Sequence, residues 1–180
     1  RFRASQVLND NKKLVNVFGA DSQSEDTFAG AIMISDAKLL LLPVRSLNGY
    51  FKWVTCPALL RRYANDCERA GVNAENLANL NLNINQTEVL VVENKSDKLF
   101  LEEFLLSVKV DNTLQAVAKF IAENFKLDET AVNEQLAVVS DDMFTYLAQN
   151  STPVNAHIAL DENKTVKKGA LWYEETLPSD

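Results

Sequence analysis

The chain is poor in the residues that build metal centres, covalent staples and phosphate loops. It holds two cysteines, Cys56 and Cys67, and one histidine, His157. That is too few soft ligands for a structural zinc site, and the pair reads as two buried thiols in a reducing compartment. Its five glycines never gather into a phosphate-cradling loop. Local motifs for a nucleoside triphosphate, a dinucleotide, a zinc hydrolase or a serine hydrolase are missing. A catalytic triad would depend on His157 alone, with no activated nucleophile presented beside it. No apolar run approaches the roughly 20 residues that a membrane span requires, so no membrane partner is expected, and the two buried thiols make the reducing cytoplasm the expected compartment.

Apolar residues make up 47% of the chain, and a domain of this length can bury about 70% of its unfolded surface without staples. The net charge of −7 argues against indiscriminate binding to polyanions. Its distribution is uneven, however. Residues 1–62 carry nine basic and five acidic groups (+4), residues 63–153 six and fifteen (−9), and residues 154–180 three and five (−2). A basic first third thus precedes an acidic middle section that is free to face elsewhere, and a local groove for nucleic acid remains compatible with overall acidity.

Residues 29–71 are the most informative stretch. Ala31 to Ile34 and Leu39 to Val44 are short apolar runs separated by Ser35, Asp36, Ala37 and Lys38, a pattern that predicts two buried strands and a solvated turn. Pro43 is expected to end pairing and to open a polar, basic loop, Arg45 to Gly49, flexible at its glycine. Tyr50 to Thr55 alternates as a strand. Pro57 opens an amphipathic helix carrying Leu59, Leu60, Tyr63, Cys67 and Ala70, and Gly71 closes it.

Before this stretch, Arg1 to Leu14 has helical spacing, with Arg1 and Arg3 outward, and Asp21 to Thr27 reads as an acidic loop. After it come a short helix near Ala74 to Leu80 and a strand at Thr87 to Val92. Leu99 to Val110 is a longer run, with a bulge or break expected at Glu102 and Glu103. Asn112 is placed as the cap of a helix over Thr113 to Phe125. A shorter helix, Asp128 to Gln135, and a buried strand, Leu136 to Val139, follow. Ser140 caps Asp141 to Gln149, and its two first-turn acids suit the helix dipole better than catalysis. Val154 to Tyr173 reads as a long hairpin with Asp161 to Thr165 at its tip and Gly169 marking a bend.

Several stretches taken together resemble one family. They are Gly30-Ala31, Ser35-Asp36-Ala37, Leu42-Pro43-Val44-Arg45-Ser46, Gly49 and Trp53-Val54-Thr55-Cys56-Pro57. Further along come Val139-Ser140-Asp141-Asp142, Ser151-Thr152, Gly169-Ala170-Leu171-Trp172-Tyr173-Glu174-Glu175 and Leu177-Pro178. The sequence resembles the RAMP superfamily, and within it the fourth Cmr subunit family. That family is the repeated, Cas7-like backbone protein of type III-B CRISPR effector complexes.

The resemblance implies an α+β fold: an RRM-like, ferredoxin-like antiparallel sheet core with helical insertions and a long β-hairpin thumb that wedges between guide and target RNA. It implies CRISPR RNA, target RNA, further copies of itself and other Cmr subunits as partners. It also implies target cleavage by an aspartate with a divalent metal, Mg or Mn. The family's aspartate loop and its lysine-bearing Gly-Ser loop stand before the position of Arg1. The chain is therefore expected to be an internal portion of a longer protein, with no metal requirement and no cleavage of its own. On this basis residues 1–180 form one RAMP domain, 63–153 a helical and acidic insertion, and 154–177 the thumb.

A protein holding guides of any sequence must contact phosphate and sugar. Arg45, Ser46 and Gly49 suit that task, with Arg1 and Arg3 continuing the guide-facing helix. Lys164, Lys167 and Lys168 would screen phosphates on the thumb, with Leu171 or Trp172 as the wedge. Glu174 and Glu175 are auxiliary candidates near the scissile phosphate. Two other readings remain open: a non-catalytic RNA-binding scaffold subunit, and an acidic protein-interaction domain unrelated to RNA.

Overall fold

The computed structural model describes residues 7, 11–20, 28–93 and 95–177. It forms two compact units, Arg1–Lys38 and Leu39–Asp180. In the first, helix α1 (Asn11–Phe18) buries Leu14 and ends at Gly19, whose φ of +80° is open chiefly to glycine. The chain then returns over the end of this helix. Ala31 N and Ile32 N donate to the Asn16 and Val17 carbonyls at 3.0 and 3.2 Å, and a side chain on Gly30 would collide with the Val17 carbonyl.

The strand expected at Ala31 to Ile34 is therefore absent. Its backbone donors go to a helix end rather than a ladder, and Met33 is 94% exposed. Most of the predicted N-terminal helix and the loop Asp21 to Thr27 lie outside the described residues.

The second unit runs β1 (Leu42–Arg45), β2 (Phe51–Thr55), α2 (Pro57–Arg69), α3 (Glu75–Ala78), β3 (Glu88–Val91), β4 (Lys98–Leu101), β5 (Phe104–Val110), α4 (Thr113–Phe125), α5 (Glu129–Gln135), β6 (Leu136–Val138), α6 (Asp141–Asn150), β7 (Val154–Leu160) and β8 (Val166–Glu175). The first six strands form one sheet in the order β1-β2-β6-β3-β5-β4, and β7 and β8 pair only with each other. The sheet is mixed rather than antiparallel. β2 runs parallel to β6 and β3 parallel to β5, while the other three pairings are antiparallel. The parallel pairs arise because β2 returns to β6 only after a long crossover, and because β5 folds back between β3 and β4.

Alternation along the central strands divides two cores. Leu90, Leu136 and Val138 face the helices, meeting Leu60, Leu77, Leu114 and Ile121. Val44, Val54, Val89, Val91 and Ala137 face the other way, against Leu99, Leu101, Leu106 and the α6 residues Phe144 and Leu147. Burial of each such leucine or isoleucine is worth about 1.5–3 kcal/mol.

Several local expectations shift. Pairing continues through Pro43, which faces Trp53; β1 is an edge strand, where a missing N–H is tolerated. The break at Glu102 and Glu103 is a hairpin turn, with Leu101 opposite Phe104 and Glu102 at φ 49°. Asn112 stands at the N-cap position of α4 as expected, but its side chain makes no cap bond; Asp111 instead accepts from Thr113 N at 2.9 Å and from its hydroxyl at 2.6 Å. Phe125, the last residue of that helix, is 51% exposed. The helix at Pro57, its Gly71 terminus at φ 72°, and the Ser140 cap bonding Met143 N at 3.2 Å stand as expected.

The sheet curls until its edges meet. The Asn48 side chain, in the β1–β2 loop, accepts from Phe100 N at 2.9 Å and donates to the Lys98 carbonyl at 3.2 Å. One amide thus substitutes for a neighbouring strand along β4. Glu102 N donates to the Arg45 carbonyl at 3.0 Å, which seals the same seam.

Candidate nucleic-acid interface

Arg45 ends β1 with its side chain 85% exposed. Its guanidinium forks onto Glu102, Nη2 to Oε2 at 2.8 Å and Nε to Oε1 at 3.3 Å, and the carboxylate pushes the arginine pKa up. The pair fixes the fork's direction and leaves three of its five N–H donors outside the pair. The following loop is pinned rather than flexible. Ser46 N donates to the Tyr50 carbonyl at 3.3 Å, and Ser46 Oγ accepts from Asn48 N at 3.2 Å. Gly49 adopts φ 144° in open space, a backbone conformation that glycine alone takes easily.

Arg45 stands between two open hollows. One, with Ser46, Leu47, Tyr50 and Glu102, measures about 420 Å³. The other, about 430 Å³, runs past Pro43 to residues 150–154 at the root of the β7–β8 hairpin. Tyr50, 97% exposed beside Arg45, is a stacking surface that sequence reasoning placed in a strand. Its position at the loop exit, just before the alternating residues, was the available signal.

The hairpin presents two unlike faces. Register places Val154, Ala156, Ile158, Leu171 and Tyr173 on one side and Asn155, His157, Trp172 and Glu174 on the other. His157 stacks on Trp172 with ring centroids 5.4 Å apart and planes at 13°. Its Nε2 lies 3.3 Å from Glu174 Oε2. Glu175 instead takes a hydrogen bond from the Thr152 hydroxyl. The two glutamates therefore face opposite ways.

At the tip, Asp161 Oδ1 accepts from Asn163 N and Thr165 N, each at 2.9 Å, and the Thr165 hydroxyl reaches Oδ2 at 2.5 Å. These donors, the Thr165 hydroxyl first, hold the Asp161 carboxyl below its ordinary value. Lys164 sits in this turn at φ 60°. Lys167 and Lys168 lie where a register shift sets one β7 residue against four of β8, with Gly169 at φ 77°. All three lysines are exposed. Arg1 and Arg3 lie outside the described residues.

Asp141 and Asp142 are structural. Asp141 Oδ1 accepts from Ala58 N at 2.9 Å in the first turn of α2, and Asp142 accepts from Gln86 at 3.1 Å. No group of three or more histidine, cysteine, aspartate or glutamate side chains able to hold a metal ion occurs among the described residues. No described helix is long and apolar enough to cross a membrane.

A curled mixed sheet, an arginine-bearing loop at its seam and a long separate hairpin define the class. The RAMP superfamily model matches residues 1–180, and the chain belongs to that superfamily. It is 36% identical over 177 residues to the CRISPR system Cmr endoribonuclease Cmr4 of Pyrococcus furiosus, covering 95% of this chain and 59% of that protein. The crystal structure of oligomeric Cmr4 from Pyrococcus furiosus aligns at a TM-score of 0.70 and 28% identity, over 99% of this chain and 62% of that one. The cryo-EM structure of the Type III-B Cmr-beta bound to cognate target RNA shares the fold, at a TM-score of 0.68 and 18% identity over 98% and 62% of the two chains. The chain thus spans about three fifths of the length of these relatives.

Proposed function

We propose that this chain is the guide-holding part of a Cmr4-type backbone subunit in a type III-B CRISPR effector, acting in the cytoplasm. The observation that carries the reading is Arg45: a solvent-facing fork at the sheet seam, beside the exposed Tyr50 ring and a hollow leading to the hairpin root. Such a surface grips phosphate and stacks bases without reading sequence. The likeness to oligomeric Cmr4 and to a complex bound to target RNA supports target RNA, further copies and other Cmr subunits as partners, with CRISPR RNA as the guide.

In this reading the core is the RRM-like platform of the family, residues 63–153 its elaboration, and the β7–β8 hairpin its thumb. Lys164, Lys167 and Lys168 screen phosphates, and the His157–Trp172 stack separates bases. The full-length protein cleaves the target with a divalent metal whose ligands lie beyond the described residues. Glu174, tied to His157, and Glu175, tied to Thr152, assist only by shaping the hairpin root.

The test assembles full-length protein with guide RNA and adds matched target with and without Mg²⁺. Regularly spaced, metal-dependent fragments are expected. Tight binding with intact target would leave a non-catalytic scaffold, and absence of RNA binding would leave an acidic interaction domain.

A further inference from the structure

Asn48 is the only asparagine of the chain that a glycine follows, and it is also the residue that closes the sheet. Its Oδ1 accepts from Phe100 N at 2.9 Å, and its Nδ2 donates to the Lys98 carbonyl at 3.2 Å. These partners fix which end of the amide is oxygen and which is nitrogen. A carboxylate in its place could keep the first bond, but it would set an oxygen against the Lys98 carbonyl where the second now stands. The seam therefore requires an amide.

The residue after it supplies a nucleophile within reach of that amide. Gly49 N has no hydrogen-bond partner among the described residues, whereas Ser46 N bonds the Tyr50 carbonyl and Asn48 N bonds Ser46 Oγ. Gly49 carries no Cβ, and nothing stands within 4 Å of where one would be. Both residues are exposed to water. An unshielded backbone nitrogen next to an asparagine side chain is held near its carbonyl carbon by the chain itself, which makes the attack intramolecular.

We propose that Asn48 is a self-modification site that converts by deamidation, and that the closed seam holds the reaction off. In the closed form both ends of the amide are tied across to β4, so Cγ is not free to turn toward Gly49. Once the seam opens, the Gly49 nitrogen attacks Asn48 Cγ. The new N–Cγ bond forms, the Cγ–Nδ2 bond breaks, the proton of the Gly49 nitrogen passes to the departing group, and ammonia leaves. Water then adds to either carbonyl of the cyclic imide and opens it to aspartate or isoaspartate. Nothing is oxidised or reduced, and water is the sole co-reactant. Neither product can donate to the Lys98 carbonyl, and isoaspartate also lengthens the backbone of the β1–β2 loop. Asn48 is thus a one-way latch: an opening of the seam is recorded covalently and not undone. This holds whether or not the loop grips RNA.

The test incubates folded full-length protein at mildly alkaline pH in heavy-oxygen water, beside a synthetic peptide of residues 46–51 that has no seam. Peptide mass mapping follows the asparagine in each. Conversion at Asn48 ahead of every other asparagine is expected, with the oxygen label incorporated. It should be slower than in the peptide by about 5- to 150-fold, the protection that two net hydrogen bonds give. Conversion as fast as in the peptide, or protection far beyond that range, overturns the proposal.

Phe100→Pro removes the donor to Asn48, at an edge strand where a missing N–H is tolerated. It should speed conversion several-fold, and an unchanged rate in the folded variant would contradict the latch. Asn48→Asp, the direct product, serves if the proline variant does not fold. Its Phe100 and Glu102 amides, both donors across the seam, should exchange with solvent several-fold faster than in the wild type. Wild-type exchange in that variant would mean that the seam tolerates a carboxylate, and the latch would fall.

Discussion

If Arg45 grips RNA, it does so in competition with Glu102, and that competition can be measured. The fork spends two of its donors on the Glu102 carboxylate at 2.8 and 3.3 Å. A phosphate must either accept from the donors left over or displace the carboxylate. The arginine side chain is 85% exposed, so water screens its end of the pair, but the Glu102 side chain is only 12% exposed and loses its partner on displacement. Glu102→Gln keeps the side chain's size and removes the competing charge. Affinity for single-stranded RNA should rise roughly two- to fivefold, the scale of one exposed ion pair. Arg45→Ala should lower affinity and reduce the slope of log K against log salt by about 0.7, the share of one phosphate contact on a single strand. Fluorescence anisotropy across a salt series reads both. Unchanged affinity in Glu102→Gln together with an unchanged slope in Arg45→Ala would refute a role for this arginine in holding RNA.

Other consequences follow from the packing. Asn48→Ala removes both side-chain bonds of the seam, so urea unfolding should show a loss of about 1–2 kcal/mol and the Phe100 amide should exchange faster. Burial, aided by Asp141, pushes the Cys56 thiol up to about 11. At pH 8.5 a maleimide or disulfide reagent should therefore react with it on the order of a hundredfold more slowly than with a free cysteine. Because the folded pKa exceeds the unfolded one, this thiol's contribution to stability is whole below about pH 8.5 and is lost as pH rises through about 11. A melting series over that range reads the fall. Gly30→Ala sets a methyl group against the Val17 carbonyl. It should cost about 1–3 kcal/mol as overpacking does, seen as faster exchange of the Ala31 and Ile32 amides.

Elements set by neighbours in sequence were legible. Pro57, the apolar spacing after it and Gly71 outline α2 without help from the rest of the chain, and Ser140 marks the start of α6 in the same way. What closes the sheet was not legible. Asn48 meets Lys98 and Phe100 fifty and fifty-two residues away, and Arg45 meets Glu102 across fifty-seven, distances over which no periodicity carries information. The run Ala31 to Ile34 misled because its composition fits a strand while its backbone donors find a helix end nearer to hand. The parallel pairings escaped for the same reason as the seam: β5 enters beside β3 only once β4 has taken the edge. The arginine loop and the hairpin were located through the family pattern. Tyr50 emerged only when the loop was seen in three dimensions.

The central claim is that this chain holds RNA by its backbone, whatever the sequence. Binding of the full-length protein to several unrelated single-stranded RNAs of equal length, measured between 50 and 200 mM salt, tests it most directly. Near-equal affinities that fall together as salt rises are predicted. Absence of binding, affinities indifferent to salt, or a strong preference for one sequence would contradict it.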